Sequence, residues 1–171
     1  MMTARDSHVV DFISEFKAAN TSTIQTMFFK SHRVALNRLA GLVKLGEVKR
    51  ERYSVSLEYV YFIKRPAQLR HSVTVAEQVA KFCASHQVVC YKAEPAFGSI
   101  RPDAMIGYIE HGEERMALLE VELSNKGLDI EKYRKFEQSE RKDWFPEKPH
   151  LIVITDRGFI RPSPEYELIK I

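Results

Sequence analysis

Apolar residues in the first third of the chain recur at the spacing of one helix face. A first helix is predicted over about Val9–Ala19, and its apolar stripe consists of Val9, Phe12, Ile13 and Phe16. Asn20 and Thr21 offer a break and an N-cap, so a short second helix is predicted to follow them. The pattern therefore indicates two short helices before residue 30.

A third helix and a hairpin follow. Ser31 can cap a helix that continues to Leu45, and Gly46 is expected to end it. Two β-strands are predicted over residues 47–53 and 57–63, joined by a turn at residues 54–56.

The pattern changes after residue 63. Residues 64–70 contain a proline and lack periodicity, which predicts a linker between two domains, residues 1–68 and 69–171. In the second domain we expect a helix from near Thr74, three strands, a helix over about 129–142, an apolar strand at 151–155 and a short edge segment. This order is α-β-β-β-α-β with a mixed sheet, and the fold class of the whole chain is α+β.

Composition and charge narrow the class of protein. The chain is 44% apolar and 29% charged, which is ordinary for a globular protein. Residues 1–70 have a net charge of +6 and the remainder −3, so the basic first part favours a polyanionic partner. Two cysteines without metal-ligand spacing favour a cytoplasmic location. No apolar run is long enough to span a membrane, and the N-terminal segment does not have the pattern of a signal peptide.

Three helices followed by a basic hairpin are the arrangement of a winged helix-turn-helix. The third helix would then enter the major groove of double-stranded DNA, and the hairpin would contact the flanking backbone. The candidate DNA-binding residues are Ser31, His32, Arg33, Asn37, Lys49, Arg50 and Arg52. The same arrangement also serves for dimerisation or protein docking, in which case these charges form only a solvated surface.

Carboxylates interrupt the apolar strands of the second domain. Glu120 and Glu122 lie two residues apart in one strand, so their side chains project to the same face. Asp103 precedes the neighbouring strand and would join them if the two strands pair. Clustered carboxylate oxygens are typical ligands of Mg²⁺ or Mn²⁺. The alternative is a solvated edge strand on which Glu122 pairs with a cation such as Arg101. Against that alternative, residues 116–119 and 123 are apolar on both faces, which predicts a central strand.

Several short motifs resemble the PD-(D/E)XK nuclease fold. Pro102-Asp103 matches the PD of that motif, and Glu120-Val121-Glu122 matches its (D/E)-X-K. More narrowly, the chain from the winged helix to Thr155 resembles the replication-relaxation family of plasmids, phages and conjugative elements. The motifs that support this narrower resemblance are Arg101-Pro-Asp-Ala104, Glu120-Val-Glu122, Lys132-Tyr133 and Trp144-Phe-Pro146.

The resemblance implies a metal-dependent site that cleaves DNA. Asp103 and Glu120 would ligate Mg²⁺ or Mn²⁺ together with the carbonyl of Val121. Glu122 stands where the nuclease pattern has lysine, a departure that a few restriction-type enzymes of this fold share. The missing cation would then be Lys126 or Lys132. The alternative for each lysine is a solvated or surface-paired side chain. The implied catalytic residues are Asp103, Glu120, Glu122 and Lys132.

Two functions remain open from the sequence. The first is a DNA-binding protein of a bacterial mobile element, with a divalent-metal-dependent endonuclease domain that acts in replication or its control. The second is a non-catalytic regulator of replication or transcription, whose nuclease-like domain serves dimerisation or docking. The Asp103 and Glu120 pair favours the first, and Glu122 favours the second. The expected partner is double-stranded DNA, with a homodimer and a replication initiator as further candidates, and no membrane partner is expected.

Overall fold

The computed structural model describes residues 2–54 and 57–171 and has an α+β architecture. The chain forms two compact units, Met1–Ser85 and His86–Ile171. The helices are α1 Ala4–Phe16, α2 Thr21–Phe28, α3 His32–Leu45, α4 Leu69–Ser85, α5 Ile130–Ser139 and α6 Arg141–Trp144. The strands are β1 Ala19–Asn20, β2 Lys49–Arg52, β3 Tyr59–Phe62, β4 Gln87–Ala93, β5 Ala104–Glu110, β6 Glu113–Glu122, β7 His150–Thr155 and β8 Glu167–Lys170. Among the described residues, no helix has the length and apolarity that crossing a bilayer requires.

The first helix begins earlier than its apolar stripe. Thr3 is the N-cap of α1 and forms a capping box with Asp6, which is why the helix starts at Ala4 rather than at Val9. It ends at Phe16 because the residues that follow turn into the two-residue strand β1. The buried residues of α1 include the expected apolar stripe, Val9, Phe12, Ile13 and Phe16.

The third helix has the bounds that its caps predicted. Ser31 accepts a hydrogen bond from the backbone of Val34 at 3.3 Å, and Gly46 ends the helix in the left-handed region with φ 80°. Both predicted strands of the hairpin form, and β3 lies between β1 and β2 in an antiparallel sheet. The expected turn at residues 54–56 lies partly outside the described residues, which omit Val55 and Ser56.

Helix α4 belongs to the first unit, which corrects the expected boundary at residue 68. The helix begins at Leu69 rather than near Thr74, and it contacts α1, α2 and β1. Leu69 and Val73 pack with Val60 and Phe62 of the small sheet. The proline-containing segment 64–68 is therefore a connection inside the first unit, because the apolar face of the next helix covers the sheet that precedes it.

The second unit is built on a five-stranded mixed sheet with strand order β4-β5-β6-β7-β8. The first three strands are antiparallel, and β7 and β8 are each parallel to their preceding neighbour. The strand that carries Glu120 is therefore the middle strand, as its apolar sequence predicted, and β8 forms the predicted edge strand. The expected helix over 129–142 is two helices, α5 and α6, which follow each other directly.

Aromatic residues of α5 and the segment after α6 pack on the face of the sheet that carries Glu120. Tyr133 and Phe136 from α5 and Phe145 form a core with Leu118 of β6 and Val153 of β7. This packing matters for the site because it sets the position of α5 at the end of β6 where the acidic residues lie.

Candidate functional site

Asp103 and Glu120 lie close together at one end of the β5–β6 pair. Ala104 is the partner of Leu119, and Asp103 directly precedes Ala104. The backbone N–H of Asp103 donates to the carbonyl of Leu119 at 2.9 Å, so Asp103 stays against β6 beyond the last paired residue of β5. The charge of Asp103 acts on Glu120 and raises its pKa, which places the two carboxylates near each other.

Glu120 is a buried carboxylate with two donors from one helix. Its side chain is 11% exposed. Its Oε1 accepts a hydrogen bond of 2.6 Å from the hydroxyl of Tyr133 and forms an ion pair with the ammonium group of Lys132. Asp129 caps α5 and accepts a bond of 3.4 Å from the backbone of Lys132, which fixes where the first turn begins. Both donors contact Oε1, so neither contact uses Oε2.

The charge state of Glu120 reflects opposing effects. Burial raises its pKa above the usual value, and the charge of Asp103 raises it further. The hydrogen bonds from Lys132 and Tyr133 lower the pKa without cancelling the rise. Burial, and then the charge of Glu120, raise the pKa of Tyr133, so its hydroxyl stays protonated and remains a donor. Buried carboxylates arranged in this way are frequent at functional sites.

The carboxylate of Asp103 is hydrogen-bonded to the main chain of β6. Its Oδ2 accepts a hydrogen bond of 2.7 Å from the backbone N–H of Val121. The resemblance implies the carbonyl of Val121 as a metal ligand, and this stays a prediction, because the contact with Asp103 is made by the N–H of Val121. Asp103 is half-buried and Glu120 is buried, so the pair lies at the boundary between the core and the solvent.

Glu122 does not complete a three-carboxylate cluster. Its Oε1 accepts a hydrogen bond of 2.6 Å from the backbone of Ser124, where the chain leaves the strand. Among residues 2–54 and 57–171 no three acidic, histidine or cysteine side chains are grouped as a metal would require. The strand alternation predicted a shared face correctly, but β6 ends at Glu122 and the following turn engages its carboxylate.

Lys132 rather than Lys126 is the cation at the acidic pair. Lys132 contacts Glu120, while Lys126 is an exposed residue whose backbone donates to Ser124 in the turn after β6. Arg101, the other candidate partner, lies near Glu94: its Nε donates to the Glu94 carbonyl at 3.3 Å. Helix α5 therefore supplies the positive charge at the position where β6 carries Glu122 instead of a lysine.

The donor set at this pair fits a small divalent cation. Mg²⁺ is commonly held by one or two carboxylates, with water and substrate phosphate completing its six ligands. Two adjacent carboxylates, one of them with an oxygen outside the ion pair, satisfy that requirement without Glu122. Such an ion would also offset the repulsion between Asp103 and Glu120.

The first unit presents a basic surface on α3. His32, Arg33 and Asn37 are exposed, and the sequence of α3 contains no acidic residue. Within residues 2–54 and 57–171, Arg33 and Lys44 have no ion-pair partner, whereas Arg38 pairs with Asp6. Ser31 serves as the N-cap, so its hydroxyl is already engaged by the helix.

The three candidate residues of β2 are all exposed, but they do not share one face. Arg50 and Arg52 lie on one side of the hairpin and Lys49 on the other, because side chains alternate along a strand. The guanidinium carbons of Arg50 and Arg52 lie 4.3 and 4.9 Å from the ring centre of Tyr59 on β3.

Two tyrosines of these sites were not predicted from the sequence. The sequence singled out Tyr133 only as part of the Lys132-Tyr133 motif; it packs in the core, and its hydroxyl also binds Glu120. Its position beside Lys132 was the available signal. Tyr59 was seen only as a strand residue, although two arginines two residues apart on the facing strand would have indicated it.

No family model matches this chain, and it matches neither a curated protein nor a solved structure.

Proposed function

We propose that this chain is a DNA-binding protein with a divalent-metal-dependent DNA endonuclease site in its second unit, related to the replication-relaxation proteins of mobile elements. The main support is the arrangement at the end of β6. Two carboxylates on paired strands, Asp103 and Glu120, meet a lysine from the next helix. In this proposal the first unit binds the duplex and the second cleaves it.

The order of elements in the first unit supports a winged helix. A helix, a short strand, two helices and a hairpin follow one another, and the first strand pairs with β3. In a winged helix the third helix lies in the major groove. Here that helix is α3, which contains no carboxylate and whose exposed Arg33 and Lys44 have no ion-pair partner in the described part of the chain, as binding to a polyanion requires.

The sheet of the second unit supports a PD-(D/E)XK-like core. Three antiparallel strands, a helical crossover and a parallel strand follow the order expected of that fold. Asp103 directly precedes the second strand of this sheet, and Glu120 lies near the end of the third. One departure is that α4, expected as the first helix of this core, packs in the first unit.

Each residue of the site has a role in the proposed reaction. Asp103 and Glu120 would hold Mg²⁺ or Mn²⁺, and Tyr133 would keep Glu120 in place through its hydroxyl. Lys132 would balance the negative charge of the pair and of the approaching phosphate. A bound ion would lower the pKa of its water and neutralise charge on the scissile phosphate.

Incubation with supercoiled plasmid tests the enzyme proposal. We expect the wild-type protein to nick the plasmid with Mn²⁺ and not with excess EDTA, and Glu120→Ala to be inactive. Glu114→Gln is a matched control, since Glu114 is an exposed carboxylate near the other end of the same strand. Equal inertness of wild type and Glu120→Ala across Mg²⁺ and Mn²⁺ would exclude an endonuclease.

The same preparation tests DNA binding. Because the proposed contacts are largely with phosphates, the affinity for a mixed-sequence duplex should fall steeply as the salt concentration rises. Arg33→Gln and Lys49→Gln should each reduce the slope of log K against log salt by about 1. An affinity that does not depend on salt would contradict this docking surface.

A non-catalytic regulator is the second candidate. The observation that favours it is Glu122, which stands in the position of the usual motif lysine and whose carboxylate is engaged by the backbone of Ser124. In a regulator the contact of Lys132 with Glu120 would only hold α5 at the end of β6. Retardation of a duplex without cleavage under any metal condition would support this candidate.

A further inference from the structure

The charged side chains of strand β2 have different partners on its two faces. On one face Glu51 forms a bidentate pair with Arg65, with distances of 2.8 and 3.1 Å, so those two charges neutralise each other. On the other face Arg50 and Arg52 have no carboxylate partner within residues 2–54 and 57–171. They are held instead by the ring of Tyr59.

The sheet register explains this contact. Tyr59 is directly opposite Arg52, and Arg50 is the next residue on the same face of β2. Both guanidinium groups therefore reach the same ring, with centroid distances of 4.3 and 4.9 Å. Arg52 has a second anchor, because its Nη1 donates to the carbonyl of Leu57 at 2.9 Å.

An arginine over an aromatic ring differs from an arginine in an ion pair. The ring attracts the cation and restricts its side chain, yet it does not cancel the charge. Ordering a long side chain before it meets its partner reduces the entropy lost on binding. A pair of ordered, uncancelled guanidinium groups is suited to a ligand with repeated negative charges, and arginine is well matched to phosphate oxygens.

We propose that Tyr59 is a positioning residue for DNA binding, which orders Arg50 and Arg52 so that both bind phosphates of one DNA strand. This inference rests on the proposed DNA-binding function. Tyr59 acts through the two arginines and not through a contact of its own with DNA. Lys49, on the opposite face of the same strand, lies over no aromatic ring among the residues that the structure describes.

The test compares Tyr59→Leu with Tyr59→Phe in the full chain. Phenylalanine keeps the ring and leucine removes it, so Tyr59→Phe should bind a mixed-sequence duplex as tightly as wild type. Tyr59→Leu should bind roughly threefold to tenfold more weakly, the size expected for losing contacts of this kind. Fluorescence anisotropy with a labelled duplex measures the affinities, and urea unfolding verifies that each variant is folded under the binding conditions.

A thermodynamic cycle separates positioning from a direct or purely structural role. In a protein that already carries Arg50→Gln and Arg52→Gln, adding Tyr59→Leu should cause no further loss of affinity. An equal loss in both backgrounds would overturn the inference, and so would wild-type affinity of Tyr59→Leu. The salt slope of the Arg50→Gln, Arg52→Gln protein should be lower than that of wild type by about 2.

A second variant keeps the test valid if Tyr59→Leu does not fold. Arg50→Lys with Arg52→Lys preserves both charges and the tyrosine but removes the planar groups that stack on the ring. We expect it to bind more weakly than wild type, and equal binding would overturn the inference. If the wild-type chain itself binds no duplex at low salt, the proposed function fails instead.

Discussion

Each unit of the protein contains a buried carboxylate with a cationic partner, and the two behave in opposite ways. The side chain of Asp6, in the first unit, is 2% exposed and is bound by Thr3 and by Arg38. The side chain of Glu120, in the second unit, is 11% exposed and is bound by Tyr133 and Lys132. The pKa of Asp6 is lowered to about 2, whereas that of Glu120 is raised.

The difference follows from what surrounds each carboxylate. For Asp6, burial alone would raise the pKa, but the hydrogen bonds from Arg38 and Thr3 outweigh that effect. For Glu120, burial and the neighbouring charge of Asp103 outweigh the donors. Ionisation of Asp6 therefore raises the free energy of unfolding, whereas ionisation of Glu120 lowers it. That loss of stability is what the metal site proposed at Asp103 and Glu120 would entail.

The largest expected effect is on cleavage by Glu120→Gln. If the pair binds the catalytic ion, nicking should fall by roughly a hundredfold or more, since one ligand loses its charge. The free energy of unfolding at neutral pH should stay the same or rise, because a buried charge next to Asp103 is removed. Plasmid nicking and urea unfolding measure the two quantities. If Glu120→Gln clearly lowers the free energy of unfolding but leaves cleavage unchanged, Glu120 stabilises the fold and does not bind the catalytic ion.

Asp6→Asn should show the opposite behaviour. We expect the free energy of unfolding to fall by about 1–2 kcal/mol, since the partial exposure of Arg38 screens the pair. Cleavage per folded molecule should not change. Asp11→Asn is the matched control, because Asp11 is an exposed carboxylate on the same helix. Unfolding in urea provides the measurement, and equal stability of the two variants would contradict a stabilising role for Asp6.

Divalent ions should stabilise the protein through Asp103 and Glu120 and not through Asp6. At Mn²⁺ tenfold above its dissociation constant, linkage predicts about 1.4 kcal/mol of added stability. Asp103→Asn should abolish the increase, and Asp6→Asn should leave it intact. Glu122→Gln should keep most of it, because the turn at Ser124 engages the Glu122 carboxylate. Thermal unfolding with and without Mn²⁺ tests these expectations. If Glu122→Gln loses the added stability, Glu122 is a third ligand of the ion, as the sequence predicted.

The smallest effect is the pH dependence of stability, which should have opposite signs at the two carboxylates. The contribution of Asp6 is present above its unfolded pKa of 3.8 and is lost as the pH falls towards about 2. The contribution of Glu120 is present below its unfolded pKa of 4.5 and is lost as the pH rises through its raised value. Relative to Asp6→Asn, wild type should therefore gain stability with rising pH. Relative to Glu120→Gln, wild type should lose stability with rising pH. Urea unfolding at several pH values measures both differences, and differences that do not change with pH would contradict the opposite roles of the two carboxylates.

Local patterns were enough to predict most elements of this chain. The helix from Ser31 to Gly46 was predicted with its bounds because both caps act within one turn of the backbone. The middle position of β6 followed from its apolar run. The start of α1 was missed because the capping box of Thr3 and Asp6 precedes the apolar stripe on which the prediction relied.

The domain boundary required tertiary information. The amphipathic pattern of α4 shows that one face is buried, but it does not show which sheet that face covers. The structure packs Leu69 and Val73 against the small sheet of the first unit. A proline-containing connection was therefore misread as a linker between domains.

The sequence by itself determined that Glu120 and Glu122 share a face, because alternation along a strand is a property of the local backbone. Only the tertiary structure decided that Asp103 lies close to Glu120, that a turn engages Glu122 and that α5 brings Lys132 and Tyr133 to the pair. Those contacts join residues that are distant in the chain or depend on where a strand ends. Strand register and helix packing decide them, and no local pattern encodes either.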